Sequence, residues 1–157
     1  MSETTTPLTD LLAESSIQLD AHASSKEDAV EQAGAALLAA GAIDASYIDA
    51  MLQREASVST FVGEGVAIPH GTLAGKEAVK RDALVLLRFP DGVDWDGNEV
   101  KIAIGIAAKG NGHIALLSQL ASILLEPEKA AALREATTTQ AVYELLASED
   151  DDDDANG

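Results

Sequence analysis

The chain has 157 residues, of which 46% are hydrophobic and only 3% aromatic, so it is expected to fold as one domain around a core of Ala, Val, Ile and Leu. It contains no cysteine, which excludes disulfides, thiolate metal sites and a cysteine nucleophile. Its 27 acidic and 10 basic residues give a formal net charge of −17, which argues against nucleic acid or an anionic membrane as partner and leaves proteins or small molecules. The start Met1-Ser2-Glu3-Thr4 carries no basic n-region, and no apolar run approaches the ~18 residues of a membrane span. A cytoplasmic protein that is not membrane-inserted is therefore expected.

The first expected element is a short strand over 17–20. Ser24-Ser25-Lys26-Glu27-Asp28 then places serines three residues ahead of acids, a capping-box pattern that starts a helix. Val30, Ala33, Gly34, Leu37 and Leu38 carry that helix to about residue 40, and Gly41 stops it. A second helix is expected from an Asp44 cap, with Ile43 and Ile48 as a hydrophobic staple and Met51 and Leu52 on its apolar face, ending near Ala56. Ser57 to Gly65 has the composition of an irregular loop, and Val66-Ala67-Ile68 that of a short strand running into Pro69-His70-Gly71.

Ala83 to Phe89 is almost continuously apolar, and Val100, Ile102, Ile104 and Ile106 alternate at period two, so both segments read as central strands. Pro90-Asp91-Gly92 and Asp96-Gly97-Asn98 are expected to punctuate turns around a short strand at 93–95, and the two long strands to pair antiparallel. After Lys109-Gly110-Asn111-Gly112 a helix is expected with Ile114, Leu117, Leu120 and Leu124 on one stripe. Pro127 opens a further helix and Thr138 or Thr139 a last one. The predicted fold is an α/β (α+β) sandwich, a mixed central sheet flanked by helices on both faces. It forms a single domain of residues 1–147, and 148–157, with the acidic run Glu149 to Asp154, reads as a solvated disordered tail.

The only imidazoles are those of His22, His70 and His113. His70 and His113 both stand just past an apolar strand beside glycines, so they can converge on one crevice outside the carboxyl ends of a sheet. Pro69 fixes its own φ and pushes Ile68 to extended geometry, while Gly71 lets a backbone N–H approach an anion, so the ring of His70 is expected to be presented. Local sequence alone fits equally a strand-end histidine without a role. His113 follows a Gly-Asn-Gly run at the first turn of a helix, where unpaired N–H groups and the helix dipole favour an anion. It also reads as a plain helix-start residue. Arg54 lies seven residues after Tyr47 at the flank of the apolar stripe, from which its guanidinium could bind phosphate oxygens or simply face solvent. His22 reads as exposed.

Arg54-Glu55, Ser59-Thr60, Gly63, Gly65 and Ala67-Ile68-Pro69-His70-Gly71-Thr72 resemble the active-site block of mannitol/fructose-type enzyme IIA domains of the sugar phosphotransferase system. The likeness continues through Phe89-Pro90-Asp91-Gly92-Val93, Ile104-Gly105-Ile106-Ala107-Ala108, Gly112-His113-Ile114 and Leu117-Ser118-Gln119-Leu120-Ala121, and covers roughly residues 8–147. It implies an α/β sandwich that takes phosphate from the histidine-containing phosphocarrier protein and passes it to a cysteine on a IIB domain. It further implies His70 as the phosphorylated nucleophile, His113 as the second imidazole and Arg54 as the phosphate-side cation, with neither cofactor nor metal. The absence of Cys fits a separate IIA chain. Thr72 and the Gly-Ile-Ala-Ala stretch look more like the mannitol branch than the nitrogen-regulatory one.

Two other readings compete. A regulatory IIA domain that binds proteins according to its phosphorylation state shares the same His70 chemistry. A hydrolase or metal site on His70 and His113 needs a further ligand, whereas glycines beside both histidines favour N–H donors for an anion.

Overall fold

The structure is a computed structural model that describes residues 11–57, 60–70, 78–107, 118, 120, 122–124 and 126–146. Strand β1 (Leu12–Gln18) begins well before the expected 17–20 piece. Its register against the neighbouring strand slips between Leu12, opposite Leu84, and Ile17, opposite Leu86, and Ala13 to Ser15 are exposed there. The stretch ahead of the expected piece is thus part of an edge strand with an irregularity in it.

Helix α1 (Lys26–Ala39) is capped as its sequence dictates. The Asp28 N–H donates to Ser25 Oγ at 3.1 Å, and the Ser24 N–H donates to the Asp28 carboxylate at 2.9 Å. Its end is a Schellman closure, with the Ala42 N–H on Leu37 O and the Gly41 N–H on Leu38 O. Helix α2 (Ser46–Ser57) follows: the Asp44 carbonyl accepts from the Tyr47 N–H at 3.0 Å, and the Asp44 carboxylate lies 3.3 Å from Lys80 Nζ. Asp44 thus meets the helix start with its carbonyl and Lys80 with its side chain.

The expected loop at 57–65 contains a strand, β2 (Phe61–Gly63), which turns at Glu64-Gly65 into β3 (Val66–Ala67). Composition hid it because β2 is three residues long and lies at a sheet edge. Strands β4 (Ala83–Trp95) and β5 (Asn98–Ala107) form the central antiparallel pair. Asp96 and Gly97 both have positive φ, +57° and +93°, the backbone of a two-residue hairpin turn that matches strand twist. The second expected turn, Pro90-Asp91-Gly92, is instead part of β4. The strand runs through it, and its register slips between Arg88 and Val93 because proline has no N–H for the ladder and extra residues bulge out. The separate strand expected at 93–95 is therefore the end of β4.

The sheet order is β1-β4-β5-β3-β2, with β1 parallel to β4, β4 antiparallel to β5, β5 parallel to β3 and β3 antiparallel to β2. Its two faces carry separate cores. On one, Val85, Leu87, Phe89 and Ala103 pack with Val30, Ala33 and Leu37 of α1 and with Tyr47 and Met51 of α2. On the other, Leu84, Leu86, Ile102, Ile104 and Ile106 pack with Leu120, Ile123, Leu124, Leu133, Val142 and Leu146. Alternation along β5 thus sends isoleucines one way and Ala103, Gly105 and Ala107 the other. The small residues let α1 come close: a Cβ on Gly105 would lie 2.8 Å from Val85 Cγ2 and 3.1 Å from Ala33 Cβ.

Pro127 opens helix α3 (Pro127–Arg134), and residues 139–146 form a helix capped by Thr138, whose hydroxyl accepts from the Ala141 N–H at 3.1 Å. The mixed sheet with helices on both faces is the sandwich expected from the sequence. Ile114, Leu117, the Gly71-Thr72 pair and the tail at 148–157 lie outside the described residues.

Candidate functional site

Beyond β3 the chain stays beside β5. Pro69 offers its carbonyl to the Ile106 N–H at 3.0 Å, and His70 forms a parallel bridge with Ile106. His70 therefore stands past the carboxyl end of β3 and next to the carboxyl end of β5, where open α/β sheets place their ligand sites. Its Nδ1 is 2.8 Å from the carbonyl oxygen of Ile68. A carbonyl can only accept, so Nδ1 bears a proton, and in the neutral ring the lone pair is on Nε2.

The expectation of a presented ring needs correction: His70 is only 9% exposed. Folding the imidazole back onto the carbonyl two residues earlier draws it toward its own chain, a geometry that Pro69 favours by holding the segment extended.

Helix α2 braces the same place from the other side. The Tyr47 hydroxyl in its first turn donates to Ile106 O at 3.0 Å, at the residue that pairs with His70. Arg54 stands half-buried in the last turn, about 10 Å further along the same side of the helix. Its charge complements the negative end of the helix dipole. His113 lies outside the described residues. His22 is exposed as expected and meets carboxylates instead, 3.2 Å from Asp91 and 3.6 Å from Asp20.

Glu55 is the residue that sequence reasoning left without a role. It is 4% exposed, and its carboxylate accepts from the Thr60 N–H at 3.0 Å, from Trp95 Nε1 at 2.9 Å and from the Thr60 hydroxyl. A signal was present, since Tyr47, Met51 and Glu55 recur every fourth residue and put a carboxylate on the buried stripe. Nearby, Lys26 Nζ lies 2.9 Å from Asp96. That hydrogen bond holds the ammonium above its ordinary range, against the opposing effect of burial, and the charges of Asp96 and Glu55 add to it.

Residues 10–149 match the family described as phosphoenolpyruvate-dependent sugar phosphotransferase system, EIIA 2. The chain belongs to that family. Among relatives of the EIIA 2 chain is the mannitol-specific phosphotransferase enzyme IIA component of Staphylococcus aureus, 41% identical over 138 residues that span 88% of this chain and 96% of the relative. The crystal structure of IIA mannitol from Escherichia coli superposes with a TM-score of 0.80 at 34% identity, covering 86% of this chain and 98% of that one. The same organism's complex of enzyme IIAMTL and phosphorylated enzyme IIBMTL gives 0.83 at 33% identity, covering 88% and 99%. The nitrogen regulatory protein IIA-Ntr of Neisseria meningitidis gives 0.76 at 28% identity, covering 87% and 97%. Among the described residues of this EIIA 2 domain, no helix is long and apolar enough to cross a membrane.

Proposed function

We propose that this chain is a phosphoryl carrier of the mannitol branch of the sugar phosphotransferase system, holding phosphate on Nε2 of His70. The donor is the histidine-containing phosphocarrier protein and the acceptor a cysteine of a IIB domain. The observation that carries the reading is the hydrogen bond from Nδ1 of His70 to the Ile68 carbonyl, because it leaves the nucleophilic lone pair on Nε2. The mannitol-specific relatives and the likeness to IIA mannitol support the branch.

The chemistry follows from that tautomer. The Nε2 lone pair attacks the phosphorus of the donor's phosphohistidine, the donor's P–N bond breaks, and its electron pair returns to the donor imidazole. The ring of His70 then carries phosphorus on Nε2 and a proton on Nδ1, and is cationic; the Ile68 carbonyl stabilises that charge. Onward transfer reverses the roles. A thiolate of the IIB domain attacks phosphorus, the P–Nε2 bond breaks, and the ring leaves as a neutral imidazole with its Nδ1 proton still in place. The loose transition state spreads charge over the transferred oxygens, so cationic and N–H donors are needed around it, the role assigned to Arg54 and His113. No step calls for a metal or cofactor.

The test is transfer of labelled phosphate from the phosphocarrier to this chain and then to a mannitol IIB domain. The expected adduct is acid-labile, base-stable and mapped to the peptide containing His70. Label on a peptide containing His113 or His22 but not His70 overturns the assignment. A phosphorylated chain that passes nothing to any IIB domain, yet binds another protein according to its phosphorylation state, favours the regulatory reading. Arg54→Ala is expected to slow transfer by about 10²-fold, as loss of one charge-stabilising donor does, with the far-UV spectrum unchanged. Unaltered transfer kinetics would remove Arg54 from the site.

A further inference from the structure

The bonds of Glu55 lead toward His70. Glu55 lies in the last turn of α2, and both its oxygens are engaged below the surface. A carboxylate this deeply buried persists only where donors satisfy it, so these contacts hold their partners firmly. Thr60, gripped at its N–H and its hydroxyl, turns its carbonyl to the Ile68 N–H at 3.0 Å. Ile68 in turn offers its own carbonyl to Nδ1 of His70 at 2.8 Å. Strands β2 and β3 have three and two residues, too short a hairpin to fix its register by ladder bonds alone. The anchor at Thr60 makes up the difference.

We infer that Glu55 is a positioning residue for the phosphoryl-accepting imidazole: by clamping Thr60 it sets the Ile68 carbonyl, which selects the ring tautomer and aims Nε2. Its effect on transfer rests on the function proposed for His70, whereas its effect on the ring does not.

The test uses the full chain with ¹⁵N-labelled histidine. In the wild type the His70 signals should report a proton on Nδ1 and a lone pair on Nε2. Glu55→Gln keeps the size of the side chain but exchanges an acceptor oxygen for an NH₂ group. It is expected to give a mixture of the two His70 tautomers and to cut the rate of phosphoryl transfer by about 10²-fold, the scale of a misplacement near 1 Å. Thr60→Val, which replaces the hydroxyl by a methyl group and leaves the backbone N–H bond to Glu55, should shift the same signals to a smaller extent, whereas Thr60→Ser, which keeps the hydroxyl, should leave them as in the wild type. A residue that merely supported the fold would lower stability and leave the His70 signals of the folded protein unchanged, so folded Glu55→Gln with wild-type signals and rate overturns the inference. Should Glu55→Gln fail to fold, the Thr60 pair decides: shifted signals in Val with normal ones in Ser support the clamp, and unchanged signals in Val refute it. A wild-type chain that takes no phosphate defeats the proposed function, while the nitrogen signals still decide the role of Glu55.

Discussion

His70→Ala is expected to accept no phosphate at all, while His113→Ala should still be phosphorylated, about 10²–10³-fold more slowly. The asymmetry comes from the difference between a covalent nucleophile and a supporting donor. Without an imidazole at position 70 no Nε2 lone pair stands beside the carboxyl end of β5, and the neighbouring carbonyl and N–H groups cannot replace it. The loss should be one of chemistry and not of fold. The Nδ1 hydrogen bond goes to a carbonyl two residues away in the same chain, so losing that bond costs about 1–3 kcal/mol, and the backbone bridge to Ile106 needs no side chain. Single-turnover labelling of both variants, with far-UV circular dichroism as a control for folding, checks this. Equal and complete loss in both, with folding intact, would point instead to a joint role such as metal ligation.

Which parts of this architecture could be read from the chain depends on how local their causes are. The cap at Ser25, the closure at Gly41, the proline that opens α3 and the Asp96-Gly97 turn are each set by a few adjacent residues, and all four stand where the pattern puts them. The pairing of β4 with β5 was legible because their apolar runs need two covered faces. What failed was decided by distant partners. The short β2–β3 hairpin joins the sheet because β3 finds a parallel partner in β5, about 35 residues on, and β1 continues through exposed residues because β4 supplies a ladder on one side. Pro90-Asp91-Gly92 has every local mark of a turn, yet β5 continues alongside and converts it into a bulge. At the candidate site the same rule holds. His70 could be picked out by its strand-end setting, but the recessed ring and the Nδ1 bond depend on how Ile68 and Pro69 lie beside β5. The role of Glu55 is not legible locally, because its partners Thr60 and Trp95 are five and forty residues away.

The largest loss of stability is expected at Trp95. It is the only tryptophan, it is fully buried in the core shared by α1 and α2, and its Nε1 donates to Glu55 at 2.9 Å. Trp95→Ala removes a large side chain from a close-packed region, which costs about 3–5 kcal/mol through lost burial and the cavity left behind. It also takes one donor from a buried carboxylate, worth a further ~1–3 kcal/mol, although the two effects share a neighbourhood and need not add. Against a total stability of about 5–15 kcal/mol for a domain, that change removes a large share of the folding free energy. Trp95→Phe helps to separate the two causes, since it removes the N–H but keeps much of the apolar volume; it should lose about 1–3 kcal/mol. Urea unfolding must be followed by far-UV circular dichroism, because both variants lack the fluorophore. Loss of less than 1 kcal/mol in Trp95→Ala would contradict the buried placement, and equal losses in Phe and Ala would show that the hydrogen bond to Glu55, and not the filled volume, is what the β4–β5 hairpin contributes to α2.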